Sequence, residues 1–325
     1  MSTSTTVPTR RLGPAGPEVP AVSLGSWNTW DRMPFDEAVA LIRYAADAGA
    51  AYFDVAHYNM GPHAEQATTD LVFGRAVAEA GLRRNDYILC GKLWLWDYPA
   101  TGFAQQMETS LERIGTGHAD HVVVGDYLGE LDARRVVDDV NAQIDAGRFE
   151  SWGVNNWGIN ELHTALDHAG AHGLVPPSFA QLKYSLARRT MAEGECYGPL
   201  FADGTLSLQA SDVFEGGILA GKLSPGRKIG ADVGGIRGHI VEAFPEVRRI
   251  AEELETTPTQ LSLAFTLTHP ATANVLFGSS SVAQFQENLG ALDLLERLGA
   301  DRLREATAGL WLDRHVSADG TWPAA

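Results

Sequence analysis

Short runs rich in Val, Ile, Leu and aromatic residues alternate along the chain with longer amphipathic segments. The runs are Val19–Leu24, Ala51–Ala56, Tyr87–Leu93, His121–Val124, Phe149–Val154, Phe179–Tyr184, Leu206–Ala210 and Ala273–Phe277. Several are apolar on both faces, the pattern of parallel strands buried between two layers. In the first amphipathic segment Ala38, Leu41, Ile42, Ala45 and Ala46 recur at helical spacing, and Gly49 marks its end. Further helices are expected over Glu65–Ala80, Gly102–Ile114 and Ala133–Ala146. Eight such pairs predict one α/β domain over residues 1–325, a (β/α)8 TIM barrel with its functional groups just after the strands' C-terminal ends. An open doubly wound sheet is the rival architecture. It requires Gly-x-Gly-x-x-Gly after the first strand, where Leu24-Gly25-Ser26-Trp27-Asn28 stands instead.

One connection is long. Residues 215–244 hold eight glycines, little apolar content, and the cations Lys222, Arg227, Lys228 and Arg237. A loop of that length in a compact domain is a lid, a binding loop or an insertion. Four cations in a Gly-rich loop favour contact with a polyphosphate. The polar residues 1–8 are expected to be disordered and to form no secretory signal. The tail over 314–325 is polar apart from Trp322.

Charge narrows the partners. The 325 residues carry a net charge of −16 with no clustered basic face, which argues against nucleic acid. Any anionic ligand must be held by a few local cations and backbone amides. Two cysteines, Cys90 and Cys196, make no disulfide framework and fit a reducing compartment. No apolar run is long enough for a bilayer, so a cytoplasmic protein without membrane contact is expected. No Cys/His spacing suits a metal.

Polar and aromatic residues gather at the predicted strand ends. These are Ser26, Trp27 and Trp30 after the first strand, and Asp54, His57, Tyr58 and Asn59 after the second. Lys92, Trp94 and Trp96 follow on the third, Gly125, Asp126 and Tyr127 on the fourth, Asn155, Asn156 and Trp157 on the fifth, and Gln181 on the sixth. Indoles at a barrel mouth can wall a substrate pocket, which makes Trp27, Trp30, Trp94 and Trp96 candidates, with His57, Asp126 and Tyr127 beside them. Asp54 with Lys92 is either a plain ion pair or a catalytic pair, and two strand ends favour the second.

The full chain resembles the aldo-keto reductase superfamily, in its potassium-channel β-subunit and bacterial branch. Arg11-Leu-Gly with Val22-Ser-Leu-Gly-Ser-Trp27 is similar to the family's first hairpin and strand, and Phe53-Asp54-Val-Ala to its second strand. Ser110-Leu-Glu-Arg-Ile-Gly-Thr116, Trp152-Gly-Val-Asn-Asn156, Gly216-Gly-Ile-Leu-Ala-Gly-Lys222 and Gly278-Ser-Ser-Ser281 with Gln284, Glu287 and Asn288 follow in the family's order.

The resemblance implies a nicotinamide dinucleotide, with NADP(H) preferred over NAD(H) because Lys and Arg are at hand for an extra phosphate. It assigns Ser26 and Trp27 to the cofactor site, Asn155, Asn156 and Gln181 to the nicotinamide end, where amides match a carboxamide, and Gly216, Gly217 and Leu219 to the pyrophosphate. Lys222 and Arg227 go to the pyrophosphate or a 2′-phosphate, and Ser279, Gln284, Glu287 and Asn288 to the adenosine end. The family's catalytic set is an Asp, a Tyr that acts as general acid, a Lys that lowers the phenol's pKa, and a His that orients the carbonyl. Asp54 and Lys92 match. The Tyr position falls on Asn59 in an ungapped register, with Tyr58 one residue early, and the His position falls on Gly125. Tyr58 with Asp54 and Lys92 therefore makes the expected catalytic set for hydride exchange with a small carbonyl or alcohol. The altered set also fits a redox-neutral epimerisation or elimination, or a cofactor-binding regulatory subunit with little turnover.

Overall fold

The computed structural model describes residues 6–61, 67–125, 127, 130–224 and 229–319. Eight parallel strands close a barrel: β3 (Val22–Gly25), β4 (Tyr52–Asp54), β5 (Ile88–Trp94), β6 (His121–Gly125), β7 (Ser151–Asn155), β8 (Phe179–Lys183), β9 (Ser207–Ser211) and β10 (Thr272–Phe277), which returns to β3. Each matches a predicted run to within a few residues. Val19–Leu24 alone divides, because Val19 pairs with Arg10 in an antiparallel hairpin of β1 (Thr9–Arg11) and β2 (Glu18–Pro20) ahead of the barrel.

The helices follow the apolar periodicity. α1 (Phe35–Asp47) buries Ala38, Leu41, Ile42 and Ala45 and carries Asp36 and Glu37 in its first turn, where the helix dipole favours carboxylates. α3 (Phe103–Ile114) ends on Gly115 at φ 82°, whose N–H bonds back to Leu111 and Glu112. α2 (Thr69–Glu79), α4 (Ala133–Asp145) and α5 (Ile159–His172) complete the first half of the outer ring. Short α6 (Thr190–Glu193) and α7 (Gly198–Ala202) follow β8, and α8 (Arg237–Glu253), α9 (Pro258–Thr266) and α10 (Val282–Ala306) close the ring.

Two expectations need correction. Residues 215–244 are not loop throughout, because Ile240, Phe244 and Val247 recur at helical spacing and α8 already begins at Arg237. Nor is the segment before β1 free of the fold where it is described. Val7 is buried and its N–H bonds the Ala48 carbonyl at 2.9 Å.

The hairpin plugs the barrel's N-terminal end. Leu12 and Val19 join Tyr52, Cys90, Val123, Phe179 and Ala273 in an interior apolar layer. That leaves the C-terminal end as the mouth, where a barrel places its chemistry. His121 sits within this floor, stacked 6.1 Å from Tyr52 with Nδ1 2.7 Å from Ser151 Oγ. Burial holds the imidazole's pKa down to about 4, with Asp120 opposing weakly. The unfolded chain takes up that proton near 6.5, so stability is fully present above that value and is lost as pH falls toward 4. The loss approaches about 3 kcal/mol. Urea denaturation from pH 7 to 4 should show it, and His121→Gln should flatten the slope. An unchanged slope in that variant would assign the acid sensitivity elsewhere.

Candidate active site

Strand alternation carries Asp54, Lys92 and Gln181 to the interior just below the mouth. Lys92 Nζ donates to Gln181 Oε1 at 2.9 Å, and Gln181 Nε2 donates to Asp54 Oδ2 at 2.8 Å. The cation and the carboxylate are thus linked through an amide. Gln181 is 2% exposed, and its second N–H goes to Gln209 Oε1 at 2.7 Å. Its carboxamide is consumed by side chains of the barrel.

Above this layer lies an aromatic cluster. The Tyr58 ring stands 5.6 Å from Trp94 and 6.5 Å from Trp27, and Lys92 Nζ lies 5.4 Å over the Trp94 ring. Trp94 Nε1 donates to the His57 carbonyl at 2.9 Å, which fixes the indole. A cavity of about 70 Å3 opens beside it, lined by His57, Asn59, Lys92, Trp94, Gln106 and Ser110 among others. Asn59 is exposed and shares this cavity with Lys92, whereas Tyr58 is buried to 3% in the aromatic cluster. Burial, then the nearby Arg113, holds His57 below the ordinary imidazole range, and Asp70 offsets this in part.

Gly125 has a steric reason. A Cβ built there lies 2.2 Å from Asn155 Cβ and 2.8 Å from the Asn155 carbonyl oxygen. No side chain fits at this position unless β7 moves. The strand end that the resemblance reserves for an imidazole is filled instead by the Asn155 backbone.

The loop after β9 crosses the mouth. A Cβ on Gly230 would sit 3.0 Å from Lys183 Nζ and 3.6 Å from the Trp27 ring. Lys183 in turn pairs with Asp212 at 2.9 Å. Burial pushes the Asp212 carboxyl up, but the Lys183 ammonium and the Gly216 N–H outweigh it and hold the group below its usual range. Arg188 clamps the loop. Its guanidinium meets both Glu215 oxygens at 3.1 Å, Asp232 Oδ1 at 3.1 Å and the Val233 carbonyl, with Arg188 and Glu215 both buried. Gly216 and Gly217 adopt φ of 70° and 105°, and their N–H groups bond Asp212 and Phe214 within the turn, as does that of Leu219. The exposed Lys222 packs its stem along Gly217.

Asn156, at φ 53°, accepts the Lys183 N–H through Oδ1, and Asn155 donates to the Gln181 carbonyl. At the end of β10, Ser279 and Asn288 are buried and bonded to each other at 3.3 Å, while Gln284 caps Ser280 and both Gln284 and Glu287 face solvent. Ser26 and Trp30 correct the expectation. Ser26 is fully buried and its hydroxyl accepts the Ala56 N–H, tying the β3 and β4 ends together. Trp30 is fully buried against Phe53 and Phe73 in the layer between barrel and helices, because its helical turn faces α2. Trp96 packs against Gly61. Tyr127 accepts the Gly158 N–H, and burial pushes its phenol up to about 12. Asp126 and Arg227 lie outside the described residues.

Sequence reasoning missed Gln209, Asn274, Lys183, Asp212 and the Arg188 clamp. A polar residue in the middle of an apolar run, as in Leu208-Gln209-Ala210, was the available signal for the first two. Among the described residues no cluster of His, Cys, Asp and Glu stands ready to hold a metal, and no helix is long and apolar enough to cross a membrane.

Residues 21–306 match the model of the aldo/keto reductase family. Proteins named voltage-gated potassium channel subunit beta are similar along their length. The one from Schizosaccharomyces pombe is 26% identical, covering 92% of both chains, and the one from Oryza sativa subsp. japonica is 28% identical, covering 89% of this chain and 92% of its own. Among solved structures, a thermostable aldo-keto reductase in complex with the inhibitor epalrestat superposes with a TM-score of 0.71 at 20% identity, covering 93% of this chain and 99% of its own. An aldo-keto reductase from Klebsiella pneumoniae in complex with NADPH gives 0.70 at 22% identity, covering 98% and 99%. At these identities the two structures establish the shared barrel.

Proposed function

This chain belongs to the aldo/keto reductase family, and on that footing we propose that it is an NADP(H)-dependent oxidoreductase acting on a small carbonyl or alcohol. The observation that carries the reading is Lys92, a cation held at the barrel mouth by Gln181 and Asp54 under a clamped Gly-rich loop. The residues suit a polyanionic dinucleotide. In a chain of net charge −16 there are four lysines, and Lys92, Lys183 and Lys222 stand on strand ends or in the loop of one face. The left-handed Gly216-Gly217 turn brings backbone close to that face with no Cβ in the way. In this reading Lys222 meets phosphate, Asn156 and Trp27 flank the nicotinamide, and Ser279, Gln284 and Asn288 serve the adenosine end. The nicotinamide supplies or takes up the hydride.

The chain's own groups manage the substrate oxygen. Lys92 places positive charge where negative charge develops on that oxygen, which is the most effective use of a fixed charge in a dry site. Asn59, in the same cavity, donates an N–H to the oxygen but has no proton to give. Tyr58 handles the proton, and the indoles of Trp27 and Trp94 exclude water around it.

Fluorescence titration with NADPH and NADH, followed by NADPH consumption across a carbonyl panel, tests the reading. Saturable NADPH binding with turnover is expected, and Tyr58→Phe should lose about 10²-fold or more, within the range of general acid–base catalysis. A normal Tyr58→Phe with a dead Asn59→Ala would move the oxygen's partner to Asn59. No binding by the unmodified protein would remove the proposal. Binding without turnover would favour a cofactor-binding subunit, the reading that the names of the curated relatives support. Substrate conversion without net NADPH change would favour epimerisation or elimination, in keeping with Gly125 at the end of β6.

A further inference from the structure

Beneath Lys92, three side-chain amides run head to tail across the barrel interior. Asn274 donates to the Pro20 carbonyl at 2.6 Å and accepts from Gln209 Nε2 at 3.1 Å. Gln209 accepts from Gln181 Nε2 at 2.7 Å, and Gln181 accepts from Lys92 Nζ at 2.9 Å. A backbone carbonyl only accepts and an ammonium only donates, so the two ends fix the direction of every amide between them. Side contacts agree with that direction. Ser23 Oγ donates to Asn274 Oδ1 at 2.6 Å, Gln209 gives its other N–H to Tyr52 OH at 3.0 Å, and Gln181 gives its other N–H to Asp54. All three amides are buried, where an unmade hydrogen bond is costly and a complete network is rigid.

We infer that Gln209 is a positioning residue that pins the Gln181 amide and thereby sets where the Lys92 ammonium stands at the mouth. Asp54 and Lys92 alone settle which way Gln181 points, yet they leave its amide plane free to rock about the line between them. Gln209 Oε1 is the third contact that fixes the plane. Without it a buried N–H lacks an acceptor, the amide turns to find one, and Lys92 loses its acceptor with it. The Asn274 link to Pro20 ties the network to the end of β2, in the hairpin that plugs the barrel floor. The catalytic meaning of this rests on the proposed role of Lys92.

The test is lysine reactivity in the purified protein without added dinucleotide. With only four lysines in the sequence, reductive methylation can be followed at each by peptide mass spectrometry. Gln209→Met is expected to raise the rate at Lys92 relative to exposed Lys222 about tenfold, or about 1.4 kcal/mol, and to leave Lys183 unchanged beside Asp212. Gln209→Glu, which still accepts from Gln181, should label Lys92 no faster than the unmodified chain. Leu12→Ala loosens the same apolar layer without removing a partner of any of the three amides and should leave the ratio as it was. An unaltered ratio in Gln209→Met overturns the inference. So does equal acceleration at Lys92 and Lys183, or the same acceleration in Leu12→Ala, since both mean general loosening. Should the Met variant not fold, Gln209→Asn, which withdraws the carbonyl by one methylene, is read in the same way. No dinucleotide or substrate enters the measurement, so a failed NADPH assay and a failed labelling result remain distinct.

Discussion

Lys92→Met is expected to leave the barrel folded and dinucleotide binding within a few-fold, while turnover falls by about 10²–10⁴-fold, or about 3–5 kcal/mol of transition-state stabilisation. Methionine keeps the length and apolar stem that lies beside Trp94 and deletes only the charge. The partner left behind is the Gln181 oxygen, a neutral acceptor whose amide stays fixed by Asp54 and Gln209. The stability cost should therefore be small beside that of breaking a direct buried ion pair. Steady-state kinetics with thermal denaturation of the same samples separates the two effects. A large drop in melting temperature with kcat preserved would make Lys92 a structural cation and withdraw it from the chemistry.

Arg188→Met is expected to open the loop over the mouth. The guanidinium is the buried partner of Glu215 and also holds Asp232 and the Val233 carbonyl. Removing one partner of a buried pair costs about 3–5 kcal/mol, because the remaining carboxylate must be hydrated. Glu215 can regain water only if the loop lifts, so the loss should appear as local opening. Cleavage between Gly221 and Ile236 by a protease under native conditions should accelerate by roughly 10²–10³-fold, with NADPH binding weakened in parallel. Cleavage at the unmodified rate would mean that the loop is held by its remaining contacts, such as Arg237 on the Gly230 carbonyl at 2.7 Å. Weaker binding without faster cleavage would place Arg188 at the ligand and not in the clamp.

Much of this architecture was legible because burial imposes periodicity. A strand covered on both faces must be apolar throughout, and a helix covering a barrel must be apolar on one stripe, so the alternation along the chain fixes both the elements and their number. The same logic placed Asp54, Lys92 and Gln181 at strand ends. The boundaries that failed have local causes. Val19 belongs to the hairpin because the chain turns at Ala21, and α8 starts inside a Gly-rich stretch because Ile240, Val247, Ile250 and Ala251 supply a buried stripe.

Partnership was a different matter. An inward Lys and an inward Asp read from sequence as a pair, yet Gln181 stands between them, since β8 lies across the barrel, three strands from β5 and four from β4, and brings its amide to both. Trp30 and Trp94 look alike as strand-end indoles, and only the packing of each against its neighbours sends one into the core and the other to the mouth. Gly125 is bare because the Asn155 backbone already occupies the space for a side chain. The sequence by itself determined the barrel, its family and the residue types available at its mouth, because these follow from burial and local order. Which groups touch depends on distances between residues far apart in the chain, and the closed barrel alone sets those.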